Sequence, residues 1–170
     1  DYLQYLAGVR RASPHTLSAY ERDLRQLSLF ADDRELGSSR DIDAGHIREL
    51  LNRQRHKGLG PRSMSRMLSS LRGFYDYRIR QHKDERNPAQ GISAPKTKQR
   101  LPKTLDADQM QQLLRVQGQS WIDHRDRAIL ELFYSAGLRL AELAGLGIND
   151  IDLRDATVSV RGKGQKDRIL

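Results

Sequence analysis

Two short stretches, SAGLRLAEL at residues 135–143 and VRGKGQKDR at residues 160–168, indicate both the fold class and the chemistry of this chain. The first has apolar residues at helical spacing and places Arg139 and Glu142 three residues apart, on one face of a helix. The second contains Lys163 between two glycines, which is typical of the turn of a β-hairpin. Together they predict a mainly α fold with a small β element.

The composition narrows the classes of protein to which the chain can belong. Its 170 residues are 37% hydrophobic, and 30 Lys and Arg against 22 Asp and Glu give a net charge of +8, which favours a nucleic acid partner. The absence of cysteine excludes disulfide bonds and thiolate metal sites. No apolar stretch approaches the roughly 20 residues that span a membrane. With no recognisable signal peptide, we expect a cytoplasmic protein that contacts no membrane.

The first half of the sequence predicts a bundle of four helices. Residues 2–9 suit a helix, and Ser13 before Pro14 is a strong helix start, because serine caps and proline fits the first turn. Asp43 can cap a third helix, and Pro61 begins a fourth. The apolar positions expected to form the core are Leu17, Tyr20, Leu24, Leu27, Phe30, Ile47, Leu50, Leu51, Met64, Met67, Leu68, Leu71, Phe74 and Tyr75.

A proline-rich segment divides the chain. Residues 87–103 contain prolines and a glycine that interrupt any helix, so we assign residues 1–86 to a first domain, residues 87–103 to a linker and residues 104–170 to a second domain. In the second domain Asp106 is the expected N-cap of another helix, and two further helices should precede the hairpin.

The linker region is also strongly basic. Residues 78–103 carry eight Lys or Arg and two acidic residues. Lys96, Lys98 and Arg100 are therefore candidates for contact with DNA phosphates, although charge runs are equally typical of a solvated linker.

Arg139, Lys163 and Glu142 suit chemistry on a phosphodiester. Attack on phosphorus concentrates negative charge on the nonbridging oxygens, which a planar guanidinium such as that of Arg139 can meet with paired hydrogen bonds. A lysine on a tight hairpin can protonate the departing oxygen, and Glu142 can orient the guanidinium. Taken singly, the pair could be an ordinary surface ion pair and Lys163 a solvated turn residue.

The ordered set of motifs resembles the tyrosine recombinases (phage integrase family), and within them the Xer group. The matching stretches are SPHTLSAYERDL, RSMSRMLSSLRGFYDY, NPAQGISAPKTKQRLPKTL, RDRAILELFYSAGLRLAELAGL and VRGKGQKDR. The resemblance implies a helical, SAM-like core-binding domain followed by the N-terminal part of an α+β catalytic domain. It also implies that Arg139 is the first catalytic arginine, Lys163 the hairpin general acid and Glu142 a supporting residue.

In that family a tyrosine forms a 3′-phosphotyrosyl link to DNA without a metal, so the resemblance implies that no cofactor is needed. The resemblance places this tyrosine and a second arginine beyond Leu170, so we expect these residues to be a truncated part of the enzyme that binds DNA without cleaving it. It implies a role in resolving chromosome dimers on a double-stranded recombination site. The implied assembly is a tetramer on two DNA sites, with an XerD-like recombinase and a septal DNA translocase as partners.

Further DNA contacts are expected from the polar flank of the fourth helix. The candidates there are Arg62, Arg66, Ser69 and Arg72, which lie away from its apolar stripe and could equally form a solvated face. Two other patterns are interpreted as decoys. His124 to Arg127 spells HxxR but precedes Arg139, and Asp150, Asp152 and Asp155 lack the pattern of a calcium loop and are expected in exposed strand and turn positions.

Two other functions are compatible with the sequence. A noncatalytic DNA clamp would use Arg139 and Lys163 only to hold phosphates, and an integron or phage integrase is a close variant of the first interpretation. Because the chain ends within the expected hairpin, we expect the second domain to be partly exposed, unstable or rearranged.

Overall fold

The computed structural model of the protein describes residues 1–94, 104–115, 118–162 and 167–170, without the side chain of residue 161. The chain divides into two compact units, Asp1–Arg100 and Leu101–Leu170. The architecture is mainly helical with a small antiparallel sheet, as the sequence predicts.

The first unit contains the four predicted helices. They are α1 Tyr2–Gly8, α2 Pro14–Asp33, α3 Ala44–His56 and α4 Pro61–Arg80, with a short 3-10 helix at Ser39–Asp41. The predicted helix starts are confirmed. The Ser13 hydroxyl accepts a hydrogen bond from the Thr16 amide, and the Asp43 carboxylate accepts one from the His46 amide at 2.9 Å.

The core of this unit forms where α2, α3 and α4 bury their apolar faces. Its fully buried side chains are Ile47, Leu50, Met67, Leu68, Ser70, Leu71 and Tyr75. The predicted stripes on α3 and α4 are confirmed except for Phe74, which is half-buried. On α2 only Leu27 and Phe30 of the predicted stripe are buried, because Ala19 and Asp23 occupy the rest of the inner face.

Aromatic side chains attach α1 to α4. Tyr2 contacts Phe74 and Tyr77 with ring centroids 5.8 and 5.4 Å apart, and Tyr5 lies 5.0 Å from Tyr77. The hydroxyl of Tyr2 lies against Gly73, where any added Cβ would collide with it. A glycine at this point of α4 therefore permits the close approach of α1.

The part of the predicted linker that the structure describes, residues 87–94, packs onto the first unit. Asn87 donates to the Arg72 carbonyl at 3.1 Å, and Arg72 donates in return to the Ala89 carbonyl at 3.1 Å. Ala89 and Ile92 are buried in the same core. The prolines and the glycine of this segment do not prevent it from packing, because Ala89 and Ile92 add apolar side chains to the core and Arg72 binds the carbonyls of both.

Two buried carboxylates hold parts of the first unit against α4. Asp23 on α2 accepts a hydrogen bond from Arg66 of α4 at 2.7 Å, and Arg66 also donates to the Ala19 carbonyl. Asp84 accepts two hydrogen bonds from Arg78 and so holds the chain after α4 against that helix. Each carboxylate is almost fully buried, so its arginine partner is needed to offset the cost of its charge.

The second unit is built from short elements. They are α5 Ala107–Leu114, α6 Trp121–Ala136, α7 Leu140–Ala144, a 3-10 helix Ile148–Asp150, and the strands β1 Ile151–Asp152, β2 Thr157–Arg161 and β3 Asp167–Ile169. The sheet order is β1-β2-β3, with both neighbouring pairs antiparallel. The predicted N-cap Asp106 is confirmed, since it accepts a hydrogen bond from the Gln109 amide. Gly137 ends α6 in the left-handed conformation, at φ 58°.

The described core of this unit is small. Its buried apolar residues are Leu138, Val158 and Val160, against which Leu132, Phe133, Ala136, Leu143 and Leu146 pack. Large apolar side chains such as Trp121, Leu140 and Ile148 are at least 70% exposed. The expectation of a partly exposed second domain agrees with this surface, while its expected instability stays a prediction.

The buried carboxylate of Asp23 gives the first unit a pH-dependent stability. Burial raises the pKa of Asp23 from 3.8 to about 6, against the attraction of Arg66 and Arg22. The folded state therefore binds more protons than the unfolded state between these values, so the contribution of Asp23 is complete below pH 3.8 and is lost as the pH rises through 6. We expect the wild type to lose roughly 2–3 kcal/mol relative to Asp23→Asn across this window.

Urea unfolding followed by helical circular dichroism at several pH values measures this difference. Asp32→Asn, an exposed carboxylate on the same helix, is the matched control and should run parallel to the wild type. A difference between wild type and Asp23→Asn that does not change from pH 4 to pH 7 would contradict the assignment.

Candidate active site

The site is organised where α6 turns into α7. Gly137 reverses the chain, Leu138 anchors the turn in the small core, and Arg139 is the N-cap of α7, with an extended backbone at φ −78° and ψ 152°. Arg139 thus precedes the helix instead of lying on it. Its side chain is 67% exposed, so the guanidinium can be reached by a ligand in solvent.

Glu142 lies at the third position of α7 and turns back toward the start of the helix. Its Oε2 accepts a hydrogen bond from the backbone N–H of Arg139 at 2.8 Å, and its Oε1 accepts one from Nη1 of the same residue at 2.8 Å. The Glu142 side chain is 6% exposed. One nearly buried carboxylate therefore fixes both the backbone and the side chain of Arg139.

The environment of Glu142 favours its charged form. Its pKa is lowered first by the hydrogen bond from the Arg139 backbone, then by the hydrogen bond from the Arg139 side chain and by the charge of Arg168, against desolvation. Glu142 is therefore ionised at neutral pH and remains an acceptor.

Arg168 is a site residue that the sequence reasoning missed. It lies on β3, and its Nη2 donates to Oε2 of Glu142 at 2.9 Å. The signal that could have revealed it is the last letter of VRGKGQKDR, an arginine two positions beyond the second lysine of the motif. In the sequence it looks like one more basic residue, because nothing local shows that it faces α7.

The neighbouring cavity does not suit a phosphate. It has a volume of about 430 Å³, and Glu142, Asp150 and Asp167 line it. These carboxylates would repel a phosphate inside the cavity. The exposed guanidinium of Arg139 is therefore the better place for an anion.

Several predicted site residues lie outside the described residues. These are the hairpin lysine Lys163 and the linker residues Lys96, Lys98 and Arg100. Their expected roles stay predictions.

The four candidates on α4 differ in how their side chains are used. Arg62 and Ser69 are exposed, although the Ser69 hydroxyl donates back to the Ser65 carbonyl. Arg66 binds Asp23 and the Ala19 carbonyl, and Arg72 binds the carbonyls of Ala89 and Ile92. Arg66 and Arg72 therefore hold the first unit together, and any contact of theirs with DNA would be additional to that role.

The residues of the decoy motifs make local contacts of their own. Arg125 pairs with Asp126 in the first half of α6 and lies 5.3 Å from the Trp121 ring. Asp152 accepts amide hydrogen bonds in the turn after β1. Asp150, expected at a strand or turn position, instead ends a 3-10 helix, because its carboxylate accepts the Gly147 amide and caps that turn. Within the described residues, no group of three or more His, Asp or Glu could hold a metal ion, and no helix could cross a membrane.

The hydrogen bonds at Glu142 predict how it titrates. In Arg139→Ala the backbone donor remains while the side-chain donor is lost, so we expect the pKa of Glu142 to rise only part of the way toward 4.5. Carbon NMR of the carboxyl group measures this value directly. Arg154→Ala, in the exposed turn before β2, should leave it unchanged. A wild-type Glu142 that titrates at 4.5 or above would contradict the geometry.

The sequence matches two families. Residues 1–82 match the N-terminal SAM-like domain of phage integrases, and residues 103–170 match the phage integrase family. Tyrosine recombinase XerC of Pseudomonas syringae pv. tomato is 47% identical over 170 residues, which cover 99% of this chain and 57% of that protein. Tyrosine recombinase XerC of Shigella flexneri serotype 5b is 46% identical over 169 residues with the same coverage. The chain thus spans little more than half the length of these relatives.

Solved structures share the fold. The XerH site-specific recombinase bound to a palindromic difH substrate matches 94% of this chain and 49% of its own, with a TM-score of 0.67 and 22% identity. A lambda integrase tetramer bound to a Holliday junction matches 99% of this chain and 48% of its own, with a TM-score of 0.69 and 22% identity. The chain belongs to the tyrosine recombinase (phage integrase) family, and its residues correspond to the SAM-like domain and to part of the catalytic domain.

Proposed function

We propose that these residues are the DNA-binding domain and part of the catalytic domain of a site-specific tyrosine recombinase. The observation that carries this proposal is the geometry of Arg139. Its guanidinium is exposed to solvent while a nearly buried carboxylate fixes its backbone and one of its nitrogens. A preorganised guanidinium of this kind can bind the nonbridging oxygens of a phosphodiester and stabilise the charge that develops there.

The proposed reaction transfers a DNA strand to a tyrosine that these 170 residues do not include. The tyrosine hydroxyl gives up its proton as its oxygen bonds to phosphorus, and the bond from phosphorus to the 5′ oxygen breaks. Lys163 supplies a proton to the departing 5′ oxygen, and Arg139 binds the phosphate throughout. The released 5′ hydroxyl of a partner strand then attacks the phosphotyrosyl phosphorus and displaces the tyrosine, which completes the exchange.

The first unit and the linker provide sequence-independent attraction to DNA. Arg62 and Ser69 present an exposed polar edge of α4, and Lys96, Lys98 and Arg100 add charge close by in the sequence. We assign phosphate contacts to these residues, because basic side chains release counterions when they bind DNA and a serine hydroxyl can donate to a phosphate oxygen.

The names of the relatives suggest the biological role. Several relatives with 45–47% identity are called tyrosine recombinase XerC. We therefore propose that the whole protein is cytoplasmic and resolves chromosome dimers during cell division and chromosome partition. It would act with an XerD-like recombinase and a septal DNA translocase, as a tetramer on two double-stranded recombination sites.

Covalent capture of DNA tests this function. A nicked Xer-type recombination site is incubated with the 170-residue polypeptide or with the native-length protein, and adducts are resolved on a denaturing gel. We expect both to bind the DNA, but only the native-length protein to form an adduct. Arg139→Ala should reduce the adduct at least about 100-fold.

Arg154→Ala removes an exposed arginine of the same unit and should leave the adduct unchanged. Binding by both proteins without any adduct would instead favour a noncatalytic clamp. An adduct on a phage or integron site, but none on the Xer-type site, would assign the protein to another branch of the family.

A further inference from the structure

The β-hairpin brings a second arginine to the carboxylate that holds Arg139. β2 and β3 pair with Val160 opposite Arg168, and paired residues project from the same face of a sheet. Val160 is buried in the small core, whereas Ser159 and Ile169 on the other face are exposed. Arg168 therefore projects toward α7, where its Nη2 lies 2.9 Å from Oε2 of Glu142.

The second arginine changes the net charge of the site. Arg139 and Glu142 alone form a neutral pair, which has little long-range attraction for an anion. With Arg168 the three side chains carry a net charge of +1, which offsets part of the negative charge of Asp150 and Asp167 around the neighbouring cavity. Glu142 contacts both arginines, and of the two the Arg139 guanidinium is the more accessible to an anion, with 67% of its side chain exposed against 39% for Arg168.

The burial of part of the Arg168 guanidinium lowers the stability that this residue could contribute to the fold. Its Nε is buried and has no hydrogen-bond partner among the described residues. A buried guanidinium nitrogen costs stability when it is not hydrogen-bonded, so the contact of Arg168 with Glu142 has to outweigh that cost.

We propose that Arg168 is a positioning residue, which binds Glu142 so that Arg139 keeps both its orientation and its positive charge toward a DNA phosphate. The contact also fixes β3, which follows Lys163 in the sequence, to the start of α7. This inference rests on the proposed recombinase function, because it assigns Arg168 a role in that reaction.

The test compares single-turnover adduct formation by the native-length protein on a nicked Xer-type site at saturating DNA, with DNA affinity measured in parallel. Arg168→Gln should slow adduct formation on the order of 10-fold to 100-fold, because the phosphate is bound less firmly in the transition state than in the wild type. DNA affinity should change less than about 2-fold, since many other contacts hold the duplex. Arg154→Gln, which removes an equal charge from an exposed turn, should match the wild type.

Two further variants separate charge from folding. Arg168→Lys keeps the charge and should recover most of the lost rate. The double variant Glu142→Gln and Arg168→Gln leaves the positive charge of Arg139 uncompensated, so it should form the adduct faster than Arg168→Gln alone. Because it contains no carboxylate at position 142, it also avoids a buried unpaired charge that could unfold the unit.

Each contrary result has a distinct meaning. If Arg168→Gln matches Arg154→Gln, or if Arg168→Lys is as slow as Arg168→Gln, the positioning role is wrong while the recombinase function stands. A loss confined to DNA affinity would make Arg168 an ordinary phosphate contact and would also overturn the inference. A wild-type protein that forms no adduct would remove the proposed function itself.

Discussion

The second unit depends on one nearly buried carboxylate. Glu142 accepts hydrogen bonds from the backbone and side chain of Arg139 and from Arg168, so it joins the start of α7 to β3. A buried carboxylate is stable only with such partners, and removal of either arginine would leave part of its charge uncompensated. The small apolar core beside it fixes Leu138 and Val160, the immediate neighbours of these contacts in the chain and in the sheet. The hydrogen bonds that stabilise this unit therefore also orient the Arg139 guanidinium toward solvent.

In the first unit, several arginines stabilise the fold instead of facing solvent. Its net positive composition suggests a broad surface for DNA, yet several arginines are bound internally. Arg66 and Arg78 neutralise the buried carboxylates Asp23 and Asp84, and Arg72 satisfies carbonyls of the chain that follows α4. The surface open to a phosphate is consequently narrower than the total charge implies, and Arg62 is its clearest member on α4.

Local features were predictable from the sequence, and long-range partners were not. The caps at Ser13, Asp43 and Asp106 depend on amides within three residues, so the sequence contains all the information needed to predict them. Arg66 binds Asp23, which lies 43 residues away in the sequence, and Arg168 binds Glu142, which lies 26 residues away. The second contact also requires the register of the hairpin, which puts Arg168 opposite a buried valine, and no residue pattern near the turn specifies that register.

A crystal structure of the native-length protein on its nicked recombination site would test the central claim most directly. We expect Nη1 of Arg139 still to donate to Glu142 while its other nitrogens bind the nonbridging oxygens of the phosphate at the nick. Arg168 should remain on Glu142 and make no contact with DNA. An Arg139 side chain turned away from the phosphate, or a Glu142 released by both arginines when DNA is bound, would contradict the account.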